Sequence, residues 1–282
     1  MQQPLSTHSS QSETELIEAA RAGDGAALET LLERVQGRLF RFSLRMSGNI
    51  EDAEEVLQET LLTITRSLNS FRGDSRLTTW AFSIARHAFG KRKRKSERVS
   101  FAEADASLQE SPNEDRGQEA KVREREILGA LDAALNVLDE DSRAVLLLRD
   151  IEGLSAQETA NALGMSIPQV KSRIHRARAR LREHMLPTLT PATPTGRTAQ
   201  PGCPDIVSMF SRYLEEEVDA DMCREMQEHV ESCDFCERTC ESLKRTVAVC
   251  NAIPAPEIPR GVQTSVRHYI RRHVDASQSD PR

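Results

Sequence analysis

Leu154-Ser155-Ala156-Gln157-Glu158-Thr159-Ala160-Asn161-Ala162-Leu163-Gly164-Met165-Ser166-Ile167-Pro168-Gln169-Val170-Lys171-Ser172-Arg173-Ile174-His175-Arg176 decides how this chain is read. It predicts two short helices joined by a tight turn, the second of them basic. Ser155 is placed to cap the first helix, with Glu158 three residues on as its reciprocal partner. Gly164 suits the left-handed position that ends a helix. Ser166 and Gln169 repeat the capping pattern, and Pro168 falls in a first turn, where its missing N–H costs little. Val170, Ile174, Ala177 and Leu181 share one face of the second helix. Gln169, Ser172, Arg173 and Arg176 point away from that face. The arrangement is a helix-turn-helix whose outer face offers amide, hydroxyl and guanidinium groups to a DNA major groove. A solvated basic face on an ordinary helical hairpin is the plainer reading. The agreement of caps, turn, core face and basic face favours the first.

Outward from this stretch, the composition suits several small helical domains better than one large core. The chain has 282 residues, few aromatics and many charged groups. A net charge of −6 looks wrong for a nucleic-acid binder, but basic helices alternate with acidic segments, and local charge decides contact with DNA. The longest apolar runs are a few residues, such as Ala144 to Leu148, so no membrane span is expected. Met1 to Ser12 is polar and lacks a signal core, so a cytoplasmic protein is expected. All six cysteines lie between Cys203 and Cys250. In a reducing compartment such a cluster beside a histidine reads as metal binding or redox sensing rather than a disulfide scaffold.

The expected fold is all-α: two small helical domains, the second the helix-turn-helix, and a small metal-binding helical domain. Residues 1–12 read as disordered and 13–96 as the first domain. Residues 97–119 read as an acidic linker, 120–186 as the helix-turn-helix domain and 187–201 as a Pro/Thr linker. Residues 202–252 form the cysteine-bearing unit. Residues 253–282 are a tail with a short basic helix from Gln263 to Val274. In the first domain, Ala53, Val56, Leu57, Thr60 and Ile64 share a buried stripe. Glu55, Gln58, Glu59, Leu62 and Arg66 fall opposite, so Leu62 is expected outside among acidic groups.

His229-Val-Glu-Ser-Cys233-Asp-Phe-Cys236 has H-x3-C-x2-C spacing, which sets three ligands along one side of a helix. Cys203 precedes at a distance that lets a second helix return alongside. One imidazole and three thiolates suit tetrahedral Zn²⁺. Cys223, Cys240 and Cys250 are surplus, and extra soft ligands admit copper or cadmium as a signal, or a redox pair. Structural zinc, metal sensing and thiol redox all stay open. No acid/base pair, phosphate loop or nucleophile constellation accompanies the thiols, so the chain does not read as an enzyme.

Asp139-Glu140-Asp141-Ser142-Arg143-Ala144-Val145-Leu146-Leu147-Leu148-Arg149, then Gly153-Leu154-Ser155 and Val170 to Arg178, resembles region 4 of bacterial sigma factors, chiefly the extracytoplasmic-function class. The resemblance implies that Gln169, Lys171, Ser172, Arg173, His175, Arg176 and Arg178 meet the −35 promoter element. Asp52 to Thr60 is similar to sigma region 2.2, which grips RNA polymerase core; this implies a docking face of Asp52, Glu55, Gln58, Glu59 and Leu62. Phe71 to Trp80, Ile84 to His87 and Lys91 to Lys95 look like regions 2.3 and 2.4. That implies −10 contacts by Arg72, Arg76, Thr79, Trp80, Arg86, His87, Lys91 and Arg92, on a cationic track suited to an open strand. The Trp80 ring is expected in the core, with Thr79 and Arg76 nearer DNA. His87 and Lys91 differ from the commonest family pattern, Asn and Asp, which leaves the −10 base preference open. Tyr213 to Asp219 with Met226 resembles the zinc-binding anti-sigma domain, here fused rather than separate. The chain also looks like metal-responsive sigma factors with a cysteine-rich C-terminal domain. The implied partners are polymerase core and promoter DNA, with the C-terminal domain docking intramolecularly on the sigma domains. A stand-alone helix-turn-helix regulator with a structural zinc domain is the alternative.

Overall fold

Ser12 opens the first helix of this computed structural model, which describes residues 11–97, 118–189, 202–253 and part of 258–272. The Ser12 hydroxyl accepts from the Glu15 backbone, and the Glu15 carboxylate accepts from Ser12 N–H, a complete capping box. The helices are α1 (Glu13–Arg21), α2 (Gly25–Ser47), α3 (Ile50–Ser67), α4 (Leu77–Glu97), α5 (Gln118–Asn136), α6 (Glu140–Leu146), α7 (Ala156–Leu163), α8 (Ile167–Leu189), α9 (Ile206–Leu214), α10 (Ala220–Ser232) and α11 (Asp234–Ala252). No strand occurs among the described residues, and the fold is all-α, as expected. The expected disorder of the N-terminus falls mainly on residues outside those described, as do most of both linkers and most of the tail.

The chain divides into two compact units: Met1–Glu110 with Asn161–Gly164 and Ala255–Arg282, and Ser111–Ala160 with Met165–Pro254. Apart from Asn161–Gly164, the helix-turn-helix segment and the cysteine-bearing segment, read from sequence as separate domains, thus share one unit. In the first unit α3 packs against both α2 and α4. Asp24 and Asn49 cap α2 and α3 through their side chains. Glu13 reaches the start of α4, its carboxylate accepting from Leu77 N–H at 3.0 Å.

Leu62 is a correction. It is 7% exposed, not displayed among the acids. A helix clasped by neighbours on two sides buries a wider arc than one stripe: Leu61 and Leu62 go inside along with Ala53, Val56, Leu57, Thr60 and Ile64. A second correction concerns the Pro/Thr linker, because α8 runs through Pro187 to Leu189.

In the second unit Val170, Ile174, Ala177 and Leu181 are all buried, as their spacing requires, and Met185 extends the stripe. α8 packs on α5, α6, α9 and α11. A π turn at Leu147–Ile151 follows α6, with Glu152 N–H donating to Leu147 O. The cysteine segment has a small core of Ile206, Phe210, Cys236, Cys240 and Leu243. None of its buried residues comes from α10.

Candidate nucleic-acid surface and metal centre

Both caps of the helix-turn-helix form as read. Glu158 N–H donates to Ser155 Oγ at 3.1 Å, and Ser155 N–H donates to the Glu158 carboxylate at 2.9 Å. Ser166 N–H donates to Gln169 Oε1 at 2.8 Å, with the reciprocal contact at 3.4 Å. Gly164 has φ 64, the left-handed turn that a Cβ would strain.

α8 then presents two polar faces with different surroundings. Gln169, Ser172 and Arg176 are exposed, and Arg176 Nε donates to the Ser172 carbonyl. On the second face Lys171, His175 and Arg178 meet α9 and the acidic turn after it. Lys171 Nζ lies 3.0 Å from Glu217 Oε1. His175 Nε2 lies 2.9 Å from Glu217 Oε2 and Nδ1 lies 2.7 Å from Ser211 Oγ. Arg173 sits at the start of α6, 3.1 Å from Asp139 and 3.0 Å from Asp141.

Arg178 corrects the sequence reading, which set it against DNA. It is 3% exposed, because three residues beyond His175, just under one turn on, it falls under α9. It forks onto Asp150 at 2.9 and 2.6 Å, and donates to Glu215 at 2.9 Å and to the Ser211 carbonyl and hydroxyl. Burial opposes its charge, but the Asp150 and Glu215 carboxylates outweigh burial and hold its pKa above the ordinary value. Arg149 closes the network on Glu215 at 2.6 Å. Arg149, Glu215 and Glu217 fell within motifs quoted from the sequence, but neither they nor Asp150 and Ser211 were given a contact there. The facing of an acidic run, Glu215 to Glu217, with a basic helix was the available signal; the π turn that aims Arg149 and Asp150 has none.

In the first unit the proposed polymerase-docking acids are already paired. Arg92 Nε donates to Asp52 at 2.7 Å and Arg92 also pairs with Glu55. Lys91 lies 3.0 Å from Glu59, and Gln58 donates to Glu54. Asp52 is held below the usual carboxylate range: burial pushes its pKa up, but Asn49 and Arg92 outweigh it. Of the −10 candidates, Arg72, Arg76, His87 and Lys91 are exposed, while Arg86 and Arg92 are half-buried. The His87 ring Nδ1 lies 2.6 Å from the Ser83 carbonyl. Trp80 is half-buried, its ring 5.0 Å from that of Phe71. Thr79 is a correction: it is buried, because α4 packs against α2 as well as α3 and its buried arc reaches round to that position.

Cys203, His229, Cys233 and Cys236 have ligand atoms all within 4.8 Å of one another. Cys203 and Cys233 Sγ atoms are 3.7 Å apart, and His229 Nε2 is 3.2 Å from Cys236 Sγ. Thiolates about 2.3 Å from one zinc at tetrahedral angles sit about 3.7 Å apart, so these residues fit such an ion. Without a metal, burial and the two neighbouring cysteines push the Cys236 thiol up to about 12. Cys233 is lowered, first by the Cys236 N–H, though burial works against it. Cys240 and Cys250 are buried and Cys223 half-buried, all outside the four-ligand group. Burial raises the Cys240 thiol, in keeping with its place among Ile206, Phe210 and Leu243.

Residues 31–99 match the family description Sigma-70 region 2, and residues 128–181 match Sigma-70, region 4. The chain is 32% identical over 166 residues to the ECF RNA polymerase sigma factor SigE of Mycolicibacterium smegmatis, covering 58% of this chain and 64% of that protein. It is 30% identical to the RNA polymerase sigma-H factor of Pseudomonas aeruginosa, covering 63% of this chain and 96% of that one. It is 34% identical to the ECF sigma factor SigM of Mycobacterium tuberculosis, covering 60% and 83%. The chain belongs to the sigma-70 family, in its ECF class. It spans a little under two thirds of SigE and most of the other two. Sigma factors are transcription initiation factors, not enzymes. Both regional matches end before the cysteine segment, the second of them at residue 181, inside α8. No helix among the described residues is long and apolar enough to cross a membrane.

Proposed function

We propose that this ECF sigma factor binds RNA polymerase core and gives it promoter choice, and that its cysteine domain binds Zn²⁺ and regulates it in cis. Region 4 supplies the −35 contacts through Gln169, Ser172 and Arg176, with Lys171, Arg173 and His175 beside them. Region 2 supplies the core and −10 contacts. Cys203, His229, Cys233 and Cys236 hold the metal, and a metal in that place supplies folding energy to a segment with a small core. The observation that carries the regulatory part is the shared packing unit: the metal-ligating segment and the recognition helix are tied by the buried Arg178–Asp150–Glu215 network. Zinc is favoured over copper or cadmium by the tetrahedral fit of one imidazole and three thiols.

The test has two arms. Purified chain is mixed with core polymerase, and complex formation is measured; a helix-turn-helix regulator without sigma function gives none. Metal content is measured after purification without added metal, and transcription is compared before and after chelation. One equivalent of zinc and an output altered by chelation support the reading. Unchanged output after full metal removal contradicts it.

A further inference from the structure

We propose that Glu217 is an internal stand-in for a DNA phosphate, masking the Lys171 flank of the recognition helix so that docking of the cysteine domain and binding of DNA compete. The proposal rests on the reading that α8 meets DNA. It adds where and how the C-terminal domain interferes.

Glu217 places one carboxylate oxygen on Lys171 and the other on His175, at 3.0 and 2.9 Å. A phosphate uses the same two kinds of donor, a point ammonium and an imidazole N–H. With the imidazole neutral, Nε2–H donates to Glu217 and Nδ1 accepts from the Ser211 hydroxyl, whose oxygen accepts from Arg178 at 3.1 Å. The carboxylate is therefore joined to the buried anchor of the docked domain. Its position is set by the backbone. Glu216 adopts φ 57, a left-handed conformation uncommon for a side chain of this size. It turns the chain straight after α9, with Glu216 N–H and Glu217 N–H donating to the Tyr213 and Arg212 carbonyls. Glu217 is thereby folded back on α8 while Glu216 stays exposed. Gln169, Ser172 and Arg176, one face over, remain exposed. The mask thus covers a phosphate-facing flank and leaves the base-reading stripe open.

The experiment uses the full chain purified with zinc and a short mixed-sequence DNA duplex, with affinity measured by fluorescence anisotropy between about 0.05 and 0.2 M salt. Glu217→Gln frees one cation. The slope of log affinity against log salt is then expected to steepen by about 0.9, and affinity near 0.15 M to rise about fivefold. Glu216→Gln, the same charge change one residue away, is expected to leave both nearly unchanged. In the Glu217→Gln background, Lys171→Ala is expected to abolish the gain. Equal effects of Glu216→Gln and Glu217→Gln, or no gain from the latter, would overturn the mask while leaving core binding and metal control intact. Absence of duplex binding by every variant would overturn the reading of α8 along with it.

Discussion

Arg176 and Arg178 are two residues apart on one basic helix, and their surroundings give them opposite tasks. Arg176 is exposed beside Ser172, so Arg176→Ala should leave stability within about 0.5 kcal/mol. It should weaken binding to a cognate −35 site by about 1–3 kcal/mol, read by competition binding. Arg178→Ala strips two buried carboxylates, Asp150 and Glu215, of their shared cation. A loss of about 3–5 kcal/mol in urea unfolding is expected. Glu217 is expected to make stability depend on acid. Burial pushes its pKa up, but Lys171 and His175 outweigh burial and hold it below the ordinary 4.5. A carboxyl whose pKa is depressed on folding stabilises above its unfolded value and loses that contribution as pH falls through the folded one. The stability difference between the parent and Glu217→Gln should be present at neutral pH and vanish well below pH 4.5; a constant difference across that range would contradict the pairing.

Features with a local signal of their own were the most legible in the sequence. The α7–α8 turn could be read almost residue by residue, since its caps, its glycine and the Val170–Ile174–Ala177–Leu181 stripe each carry a local signal. Three candidate metal-ligand positions were legible from H-x3-C-x2-C spacing, and Cys203 lies beside them as expected. The full width of a buried face was not. In α3 a single stripe was expected and in α4 Thr79 was set toward DNA, but each helix has two neighbours, which bury a wider arc and draw in Leu62 and Thr79. Leu62→Ala is therefore expected to cost about 2–3 kcal/mol in thermal or urea unfolding, by removing buried methyl groups. The π turn and the Glu215–Glu217 pairing depend on tertiary partners that no local pattern names. α10 has no buried residue of its own, and His229 near its end joins the metal group. Chelation should raise amide exchange in α10 well above that in α11, whose Cys236, Cys240, Leu243 and Cys250 are buried. Equal protection in both helices with and without metal would detach the site from the fold.

At the scale of the whole molecule, one unit joins α8, the proposed promoter-reading helix, to a cysteine segment in which four side chains cluster with metal-ligand spacing. On the proposed reading, a small segment whose folding includes a metal and whose Glu217 covers Lys171 is a two-state element that metal and DNA bias in opposite senses. The paired acids of α3 and their partners Lys91 and Arg92 on α4 belong to the other unit, to which the proposal assigns the core and −10 contacts. The most direct test is transcription by reconstituted holoenzyme, core polymerase plus full chain, across a series of zinc, cadmium and copper. The parent is compared with Cys233→Ser and His229→Ala. The account predicts start sites absent with core alone, an output that changes with zinc in the parent, and a shift in the same direction in both variants with the zinc response gone. Parent and variants giving the same output at every metal level, or no start sites beyond those of core, would contradict it.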